Sequence, residues 1–388
     1  MKIAIDASRA FLDKRTGIEE YAFELVKNLR DSLKEEEVVL YLRRGGQTRL
    51  EKEISLPEKW QAKEINFKYC WTQVGMAWEF LTNPPDVLFI PAHTVPWIHP
   101  KNTVVTVHGL EYEHCPESYS LYSRLFHRFF IQKSCIWAKK IIAVSCNTKK
   151  DLTNLYQVPE RKVKVIYNGF NESQENGIDS NKFKEGDILS SGGGLPRKFF
   201  LYIGRLEKRK NIEGIIKSFE IAKEELGYEG KLVLAGKPGY GYQEIQDLVR
   251  QSSQKENILE TGYIESREKT TLLKQADVFL FPSFCEGFGI PILEAQSFST
   301  PVITSDLGPM DEVAGDDRIL ADPKKPAEIA QKAVELVNNQ KLRNSVIQKG
   351  RENVRKYSWK KCGRESAEII KSQGRLKPAI ISNKRIKG

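Results

Sequence analysis

Short apolar runs rich in β-forming residues alternate with helical stretches along almost the whole chain of 388 residues. This alternation is typical of βαβ units, which build parallel sheets covered by helices on both faces. The runs fall into two sets of six, at 2–7, 38–42, 86–90, 103–108, 140–145 and 163–167, and then at 199–203, 231–235, 257–261, 277–281, 301–304 and 318–321. The sequence therefore predicts an α/β protein with two Rossmann-like, doubly wound parallel-sheet domains that face a cleft.

A polar connection rich in Ser and Gly separates the two sets of runs. We therefore assign residues 1–170 to a first domain, 171–197 to a linker and 198–356 to a second domain. A helical stretch at about 357–370 is expected to pack back on the first domain. Residues 371–388 carry several basic side chains and no acidic one, so a frayed basic tail is predicted there.

The formal net charge of +10 favours anionic partners such as phosphorylated substrates, lipid head groups or nucleic acid. Segment 119–140 interleaves basic and aromatic residues without a single acidic one. It fits an aromatic helix packed in the first domain, a helix lying on an anionic membrane, or a nucleic-acid surface. We predict peripheral contact with an anionic membrane through this segment, and no nucleic-acid partner.

The chain opens on a predicted strand without a signal peptide, and no segment has the ~20 apolar residues that a bilayer span needs. These features predict a cytoplasmic protein, with any membrane contact limited to the inner face of the membrane. The six cysteines lie scattered, without the spacing of a zinc site. We expect reduced, mostly buried thiols.

The strongest chemical signal lies at 281–295 (FPSFCEGFGIPILEA), where a predicted strand ends, a loop carries two glycines and a helix begins near Gly289. Free amides at a helix N-terminus attract phosphate, and glycines let a ligand approach the backbone. Glu286 can accept hydrogen bonds from sugar hydroxyls, and Glu294 lies further along the helix, within reach of a ribose. The segment therefore predicts a site for a sugar nucleotide.

Two glutamates in E-G-F-G-I-P-x-L-E-A, with seven residues between them, resemble the donor-binding motif of family 4 glycosyltransferases. The resemblance covers almost the whole chain, and it implies the two-domain GT-B fold. It places Glu294 on the ribose of the donor. The contacts that it implies for the hexose come from Glu286, Gly287, Phe288, Gly289 and Ile290.

A second strand end carries the basic segment 204–210 (GRLEKRK), which resembles the G-R-L-x-x-x-K motif of the same family. Cations here can neutralise a leaving diphosphate, a task that Mg²⁺ performs in enzymes that hold it on paired aspartates. The sequence contains no D-x-D pair. The resemblance assigns Arg205 and Lys210 to the diphosphate, so we predict a nucleotide-diphosphate sugar as co-substrate, with no metal and no other cofactor.

Three further matches complete the predicted site. His108 resembles the His of the family's V-H-D segment, which lies near the transferred sugar, although Gly109 replaces the usual Asp. Gly17 is the candidate for a small turn at the diphosphate, where relatives often carry two adjacent glycines. The stretch that contains Tyr263 and Ile264 matches a segment near the base of the nucleotide.

The resemblance implies a retaining, metal-independent hexosyltransferase that moves a hexose from GDP-mannose or a UDP-hexose to a glycan or lipid-linked acceptor. The predicted catalytic residues are His108, Arg205, Lys210 and Glu286. A nucleotide-sugar epimerase or hydrolase of the same fold, or a non-catalytic nucleotide-sugar-binding protein, is the alternative. A dinucleotide-binding oxidoreductase is disfavoured because the nearest glycine-rich segment, 236–241, has the wrong spacing and lies in mid-chain.

Overall fold

Two parallel sheets, one in each half of the chain, organise the computed structural model. The structure describes residues 1–13, 15, 17–170 and 195–374. The predicted linker up to residue 194 and the predicted tail beyond residue 374 lie outside the described residues.

The first sheet has the order β3-β2-β1-β4-β5-β6-β7, and all its strand pairs are parallel. Its strands are β1 (Lys2–Asp6), β2 (Glu37–Arg43), β3 (Trp60–Ile65), β4 (Val87–Ile90), β5 (Thr103–Val107), β6 (Lys140–Ala143) and β7 (Val163–Val165). Strand β3 was not predicted. It is an edge strand that pairs only with β2, and its exposed side chains break the apolar run by which the other strands were recognised.

The second sheet has the order β10-β9-β8-β11-β12-β13 and is also parallel throughout. Its strands are β8 (Phe199–Ile203), β9 (Lys231–Ala235), β10 (Ile258–Gly262), β11 (Val278–Phe281), β12 (Val302–Ser305) and β13 (Leu320–Ala321). All of these strands were predicted. Central strands of a parallel sheet are covered on both faces, so they are continuously apolar, as the fully buried β11 is.

Helices cover both sheets. They are α1 (Gly17–Ser32), α2 (Gly46–Glu53), α3 (Ala77–Thr82), α4 (Glu111–His114), α5 (Leu121–Trp137), α6 (Cys146–Tyr156), α7 (Ile212–Glu224), α8 (Tyr242–Gln251), α9 (Ser266–Gln275), α10 (Ile290–Ser297), α11 (Pro309–Ala314), α12 (Pro326–Asn338), α13 (Gln340–Val354) and α14 (Trp359–Gly374). Among the residues described, no helix is both long enough and apolar enough to pass through a bilayer.

The last helix, α14, packs against α1 of the first half of the chain. Trp359 at its start lies edge-on to Tyr21 of α1, with 5.7 Å between the ring centroids. The helix continues to Gly374, so the first four residues of the predicted basic tail are helical. The amphipathic pattern of α14 extends through Ile370 and Gln373, which are buried, and this explains why the helix does not end at 370.

Helix α5 presents most of its apolar side chains to solvent. Its buried residues are Ile131, Ser134 and Cys135. The exposed large apolar side chains on this helix are Leu121, Tyr122, Leu125, Phe126, Phe129 and Ile136. The explanation of segment 119–140 as an aromatic stripe packed in the first domain is therefore wrong for most of the helix.

The cysteines are mostly buried, as predicted, but two of them are not reduced thiols. Cys115 and Cys285 form a disulfide between the two halves of the chain. Cys70 and Cys146 are exposed thiols, whereas Cys135 and Cys362 are buried ones. The disulfide escaped the sequence analysis because its two residues are 170 positions apart and meet only where the two domains face each other.

Each sheet has one place where strands that are not consecutive in the chain lie side by side: β1 beside β4, and β8 beside β11. Connections from these strands leave in opposite directions, which opens a crevice at the carboxyl ends of the strands. The loops after β8 and β11 carry the basic motif and the two-glutamate motif. The loop after β4 and the loop after the neighbouring β5 face them from the first domain.

Candidate active site

The two motif loops of the second domain are joined by their backbones. A 3-10 turn, Lys208–Lys210, follows β8, and the carbonyl of Arg209 accepts a hydrogen bond of 2.9 Å from the amide of Phe284 in the loop after β11. The side chain of Asn211 donates to the carbonyl of Pro282 at 3.0 Å. These contacts hold the basic motif against the loop that carries Glu286.

A buried cluster of charges results from this arrangement. Lys210 forms an ion pair with Glu286. Arg209 lies 3.4 Å from Glu286 and 2.6 Å from Glu207. Burial alone would raise the pKa of Glu286, but the charges of Lys210 and Arg209 outweigh it and hold that pKa below its usual value. Glu286 is therefore ionised and available to accept hydrogen bonds.

Lys210 shows the opposite balance. Burial lowers its pKa, and the nearby Arg209 acts in the same direction, although Glu286 opposes both. The ammonium lies 5.2 Å from the ring centroid of Phe281 at the end of β11. A cation held in such surroundings is poorly solvated, so its attraction to an incoming phosphate is stronger than it would be in water.

Helix α10 begins at Ile290 directly after this loop, with Gly289 at its N-cap and a φ of 108°. Glu294 lies one turn into the helix and forms an ion pair of 2.6 Å with Lys269 of α9. Phe288 is buried. Helix α10 therefore offers amides for a phosphate and a carboxylate for hydroxyl groups directly after the loop that carries Glu286.

The first domain meets this loop at Gly287. A Cβ atom at Gly287 would lie 1.8 Å from the backbone oxygen of His108 and 3.0 Å from Oε1 of Glu111. No residue other than glycine fits at this distance, so the two walls of the cleft are in direct contact here.

His108 belongs to an aromatic and neutral group. Its Nε2 donates a hydrogen bond of 2.7 Å to the carbonyl of Pro91, which defines the tautomer. Burial lowers the pKa of His108 to about 4. Its ring lies edge-on to Tyr21 at 4.5 Å and to His93 at 5.1 Å between centroids. The imidazole is therefore neutral at physiological pH.

The remaining predicted residues take no part in the ion pairs of the charged cluster. Arg205 is exposed, and no described side chain pairs with its guanidinium. Tyr263 is 62 % exposed, with the ammonium of Lys237 4.3 Å from its ring centroid, and Ile264 packs against the core. Gly17 is the exposed first residue of α1, and a Cβ there would meet nothing within 4 Å.

An open cavity lies beside one of these positions, Tyr263. It lies between Tyr263 of the second domain and Arg15 and Glu53 of the first domain. Arg15, just before α1, and Tyr263, just after β10, therefore face the same space.

Three site residues were missed by the sequence analysis: Arg209, His93 and Glu111. Arg209 was overlooked because it lies between Arg205 and Lys210, the two cations that match the family motif. His93 has a φ of 30°, and its buried Nδ1 has no hydrogen-bond partner in the described part of the chain. A histidine or carboxylate within a few residues of a strand's carboxyl end was the available signal for both His93 and Glu111.

Comparison with known proteins identifies the family. A model described as "Glycosyltransferase Family 4" matches residues 15–174, and one described as "Glycosyl transferases group 1" matches residues 190–353. An uncharacterized glycosyltransferase of Methanocaldococcus jannaschii is 31 % identical over 69 % of this chain and 68 % of its own length. The chain belongs to glycosyltransferase family 4.

One further relative and two solved structures are also similar to this family 4 glycosyltransferase. O-antigen chain mannosyltransferase B of Escherichia coli is 25 % identical, with 92 % of this chain and 96 % of the relative covered. The crystal structure of Anabaena HepE in complex with UDP-glucose matches with a TM-score of 0.72 at 17 % identity, over 96 % of this chain and all (100 %) of that one. WaaG, a glycosyltransferase involved in lipopolysaccharide biosynthesis, matches with a TM-score of 0.66 at 14 % identity, over 95 % and 99 % of the two chains. The predicted GT-B fold and the predicted class, a hexosyltransferase, are confirmed.

Proposed function

We propose that this family 4 glycosyltransferase transfers a hexose from a nucleotide-diphosphate sugar to a glycan or lipid-linked acceptor, with retention of the anomeric configuration and without a metal ion. The observation that carries the proposal is the buried cluster of Arg209, Lys210 and Glu286 between the β8 and β11 loops. At one point of the cleft, this cluster places cations that can bind a diphosphate next to a carboxylate that can bind sugar hydroxyls.

The donor lies across the second domain in this proposal. Glu294 accepts a hydrogen bond from the ribose, and Lys210 with Arg205 neutralises the diphosphate. Glu286 and the amides of 287–290 hold the hexose. Tyr263 and Ile264 lie towards the base. Lys210 is buried and paired with Glu286 before the donor binds. The diphosphate therefore meets a cation that has already lost its water.

Closure of the first domain completes the site. The contact between Gly287 and His108 supports a closed arrangement in which His108 lies beside the sugar and Gly17 beside the diphosphate. Water is excluded, and the acceptor oxygen attacks the face that the diphosphate leaves. The bond between the anomeric carbon and the acceptor oxygen forms as the bond to the phosphate breaks, and the departing phosphate oxygen takes the acceptor's proton.

The relatives support a polysaccharide or lipid-linked acceptor. They include O-antigen chain mannosyltransferases of Escherichia coli and Salmonella typhimurium and a capsular polysaccharide biosynthesis glycosyltransferase of Staphylococcus aureus. GDP-mannose is the first donor to test on this basis, and a UDP-hexose is the second, since HepE was solved with UDP-glucose.

A titration of the purified protein with a panel of nucleotide sugars in EDTA tests the proposal. We expect one donor to raise the melting temperature without metal, and to release nucleoside diphosphate when an acceptor fraction is added. Binding that needs Mg²⁺ would refute metal independence, and a product with inverted configuration in its NMR coupling would refute retention. Binding of none of the donors would refute the transferase mechanism.

We also propose that helix α5 contacts an anionic membrane. Its exposed apolar residues include Phe126 and Phe129, and Arg124 and Lys133 lie on the same helix. Such a face inserts rings at the head-group level while its cations meet anionic lipid. We expect the protein to sediment with vesicles that contain phosphatidylglycerol and not with phosphatidylcholine alone. The variant Phe126→Ser/Phe129→Ser should lose this binding at an unchanged melting temperature, and equal sedimentation with both lipids would contradict the proposal.

A further inference from the structure

The first domain places a carboxylate at the point where the cleft closes. Glu111 is the first residue of α4 and follows His108 by three positions in the chain. A Cβ atom at Gly109 would lie within 2.9 Å of both oxygens of this carboxylate, and a Cβ at Gly287 would lie 3.0 Å from its Oε1. Glycines on both sides of the cleft therefore leave the space that the Glu111 carboxylate occupies.

The surroundings of Glu111 are charged, but they provide few hydrogen-bond donors for its carboxylate. Burial raises its pKa and Glu286 acts in the same direction, while Arg209 and Lys210 lower it, with a net increase. Within the described ranges, no side chain donates a hydrogen bond to this carboxylate, although its own backbone amide does. A carboxylate has about four acceptor positions, so one that receives a single backbone hydrogen bond keeps acceptor positions for a ligand.

We propose that Glu111 is a substrate-binding carboxylate that accepts a hydrogen bond from a sugar hydroxyl in the closed cleft, on the side opposite to Glu286. The proposal rests on the transfer function proposed above. A carboxylate offers only acceptors, and hydrogen bonds from hydroxyls to an ionised acceptor are among the strong ones. Glu111 lies beside Gly287 and shares the cations of Glu286, so a hydroxyl that reaches it is within the charged cluster.

Because Glu111 belongs to the first domain, its contact forms on closure and not when the nucleotide first binds the second domain. The hydroxyl belongs either to the transferred hexose or to the acceptor, and both offer the same donor group. The variant Glu111→Gln keeps the size of the side chain and removes its charge. A control is Glu117→Gln, which removes an exposed carboxylate six positions further along the chain.

We expect Glu111→Gln to lower kcat/KM of transfer at least about tenfold. The affinity for the nucleoside diphosphate alone should stay within about twofold, and the melting temperature within about 2 °C. Glu117→Gln should behave as the wild type in all three measurements. A fall in transfer at unchanged nucleotide affinity indicates that Glu111 contacts a sugar. A structural role would instead lower the melting temperature, the nucleotide affinity and transfer together.

Two further measurements locate the hydroxyl. If donor hydrolysis, measured without acceptor, falls as much as transfer does, the hydroxyl belongs to the donor hexose. If transfer alone falls and the KM for the acceptor rises, the hydroxyl belongs to the acceptor.

Transfer within twofold of wild type, or a parallel loss of nucleoside diphosphate binding, overturns the role of Glu111. If the wild-type protein transfers from no donor, the proposed function itself fails, and the role of Glu111 fails with it.

Discussion

The wall that the second domain gives to the cleft is charged and internally paired, whereas the wall from the first domain is mostly aromatic and neutral. Lys210 and Glu286 form a buried ion pair on one side. His108, His93 and Tyr21 form a group of edge-to-face rings on the other side, with both imidazoles held neutral by burial. The charged wall suits capture of a dianionic donor, and the neutral wall suits exclusion of water around it.

The largest effect is expected from Lys210→Ala, which breaks the charged wall. Turnover should fall about 10²–10³-fold because the leaving diphosphate loses its desolvated cation. Stability should also fall, since the buried Glu286 loses one of its two cationic partners, Lys210 and Arg209. Release of nucleoside diphosphate and thermal unfolding measure the two effects.

Two variants sharpen this test. Lys208→Ala removes an exposed cation that pairs with Glu244, and it should leave turnover unchanged. Lys210→Ala/Glu286→Gln should regain stability but not turnover. If the double variant is as active as the wild type, Lys210 serves only to neutralise Glu286.

Gly287→Ala separates the two walls without removing a charge. The added Cβ would meet the His108 oxygen at 1.8 Å, so the domains cannot reach the arrangement seen here. We expect transfer to fall about tenfold or more while the affinity for nucleoside diphosphate is kept, because only closure is affected. Calorimetry and transfer assays on the same preparation measure both, and unchanged transfer would show that the contact is not needed.

Cys115→Ser removes the covalent link between the walls. A disulfide that closes a loop this long typically contributes about 2–4 kcal/mol to the free energy of unfolding. We expect the oxidised wild type to run faster than Cys115→Ser in a non-reducing gel and to melt at a higher temperature. Cys362→Ser, at a buried free thiol, should keep the fast mobility. Identical mobility of wild type and Cys115→Ser would contradict the link.

The smallest effect concerns the neutral wall and pH. Burial lowers the pKa of His108 to about 4 from its ordinary 6.5. Between these values the unfolded chain binds a proton that the folded protein does not, so stability falls as the pH drops below 6.5. At pH 5.5 this group alone should cost about 1.4 kcal/mol relative to pH 8. Urea unfolding at both pH values should show a smaller difference for His108→Asn, and an unchanged difference would mean that His108 is not held neutral.

The sequence by itself determined both sheets, apart from the edge strand β3, and two residues of the charged wall, Lys210 and Glu286. Buried parallel strands are continuously apolar, and Glu286, Glu294 and Lys210 occupy fixed offsets from strand ends. Both signals are local, because strand periodicity and motif spacing are properties of short segments. They can therefore be recognised without knowing which segments meet.

Only the tertiary structure decided how the walls meet. It brought Cys115 to Cys285 and Glu111 to Gly287, and it placed Arg209 beside Glu286. The partners in the two contacts across the cleft lie more than a hundred residues apart and come together through the packing of two sheets and the closure of two domains. The neutral wall depends on burial and on a hydrogen bond to a backbone carbonyl, and neither leaves a spacing pattern in the sequence.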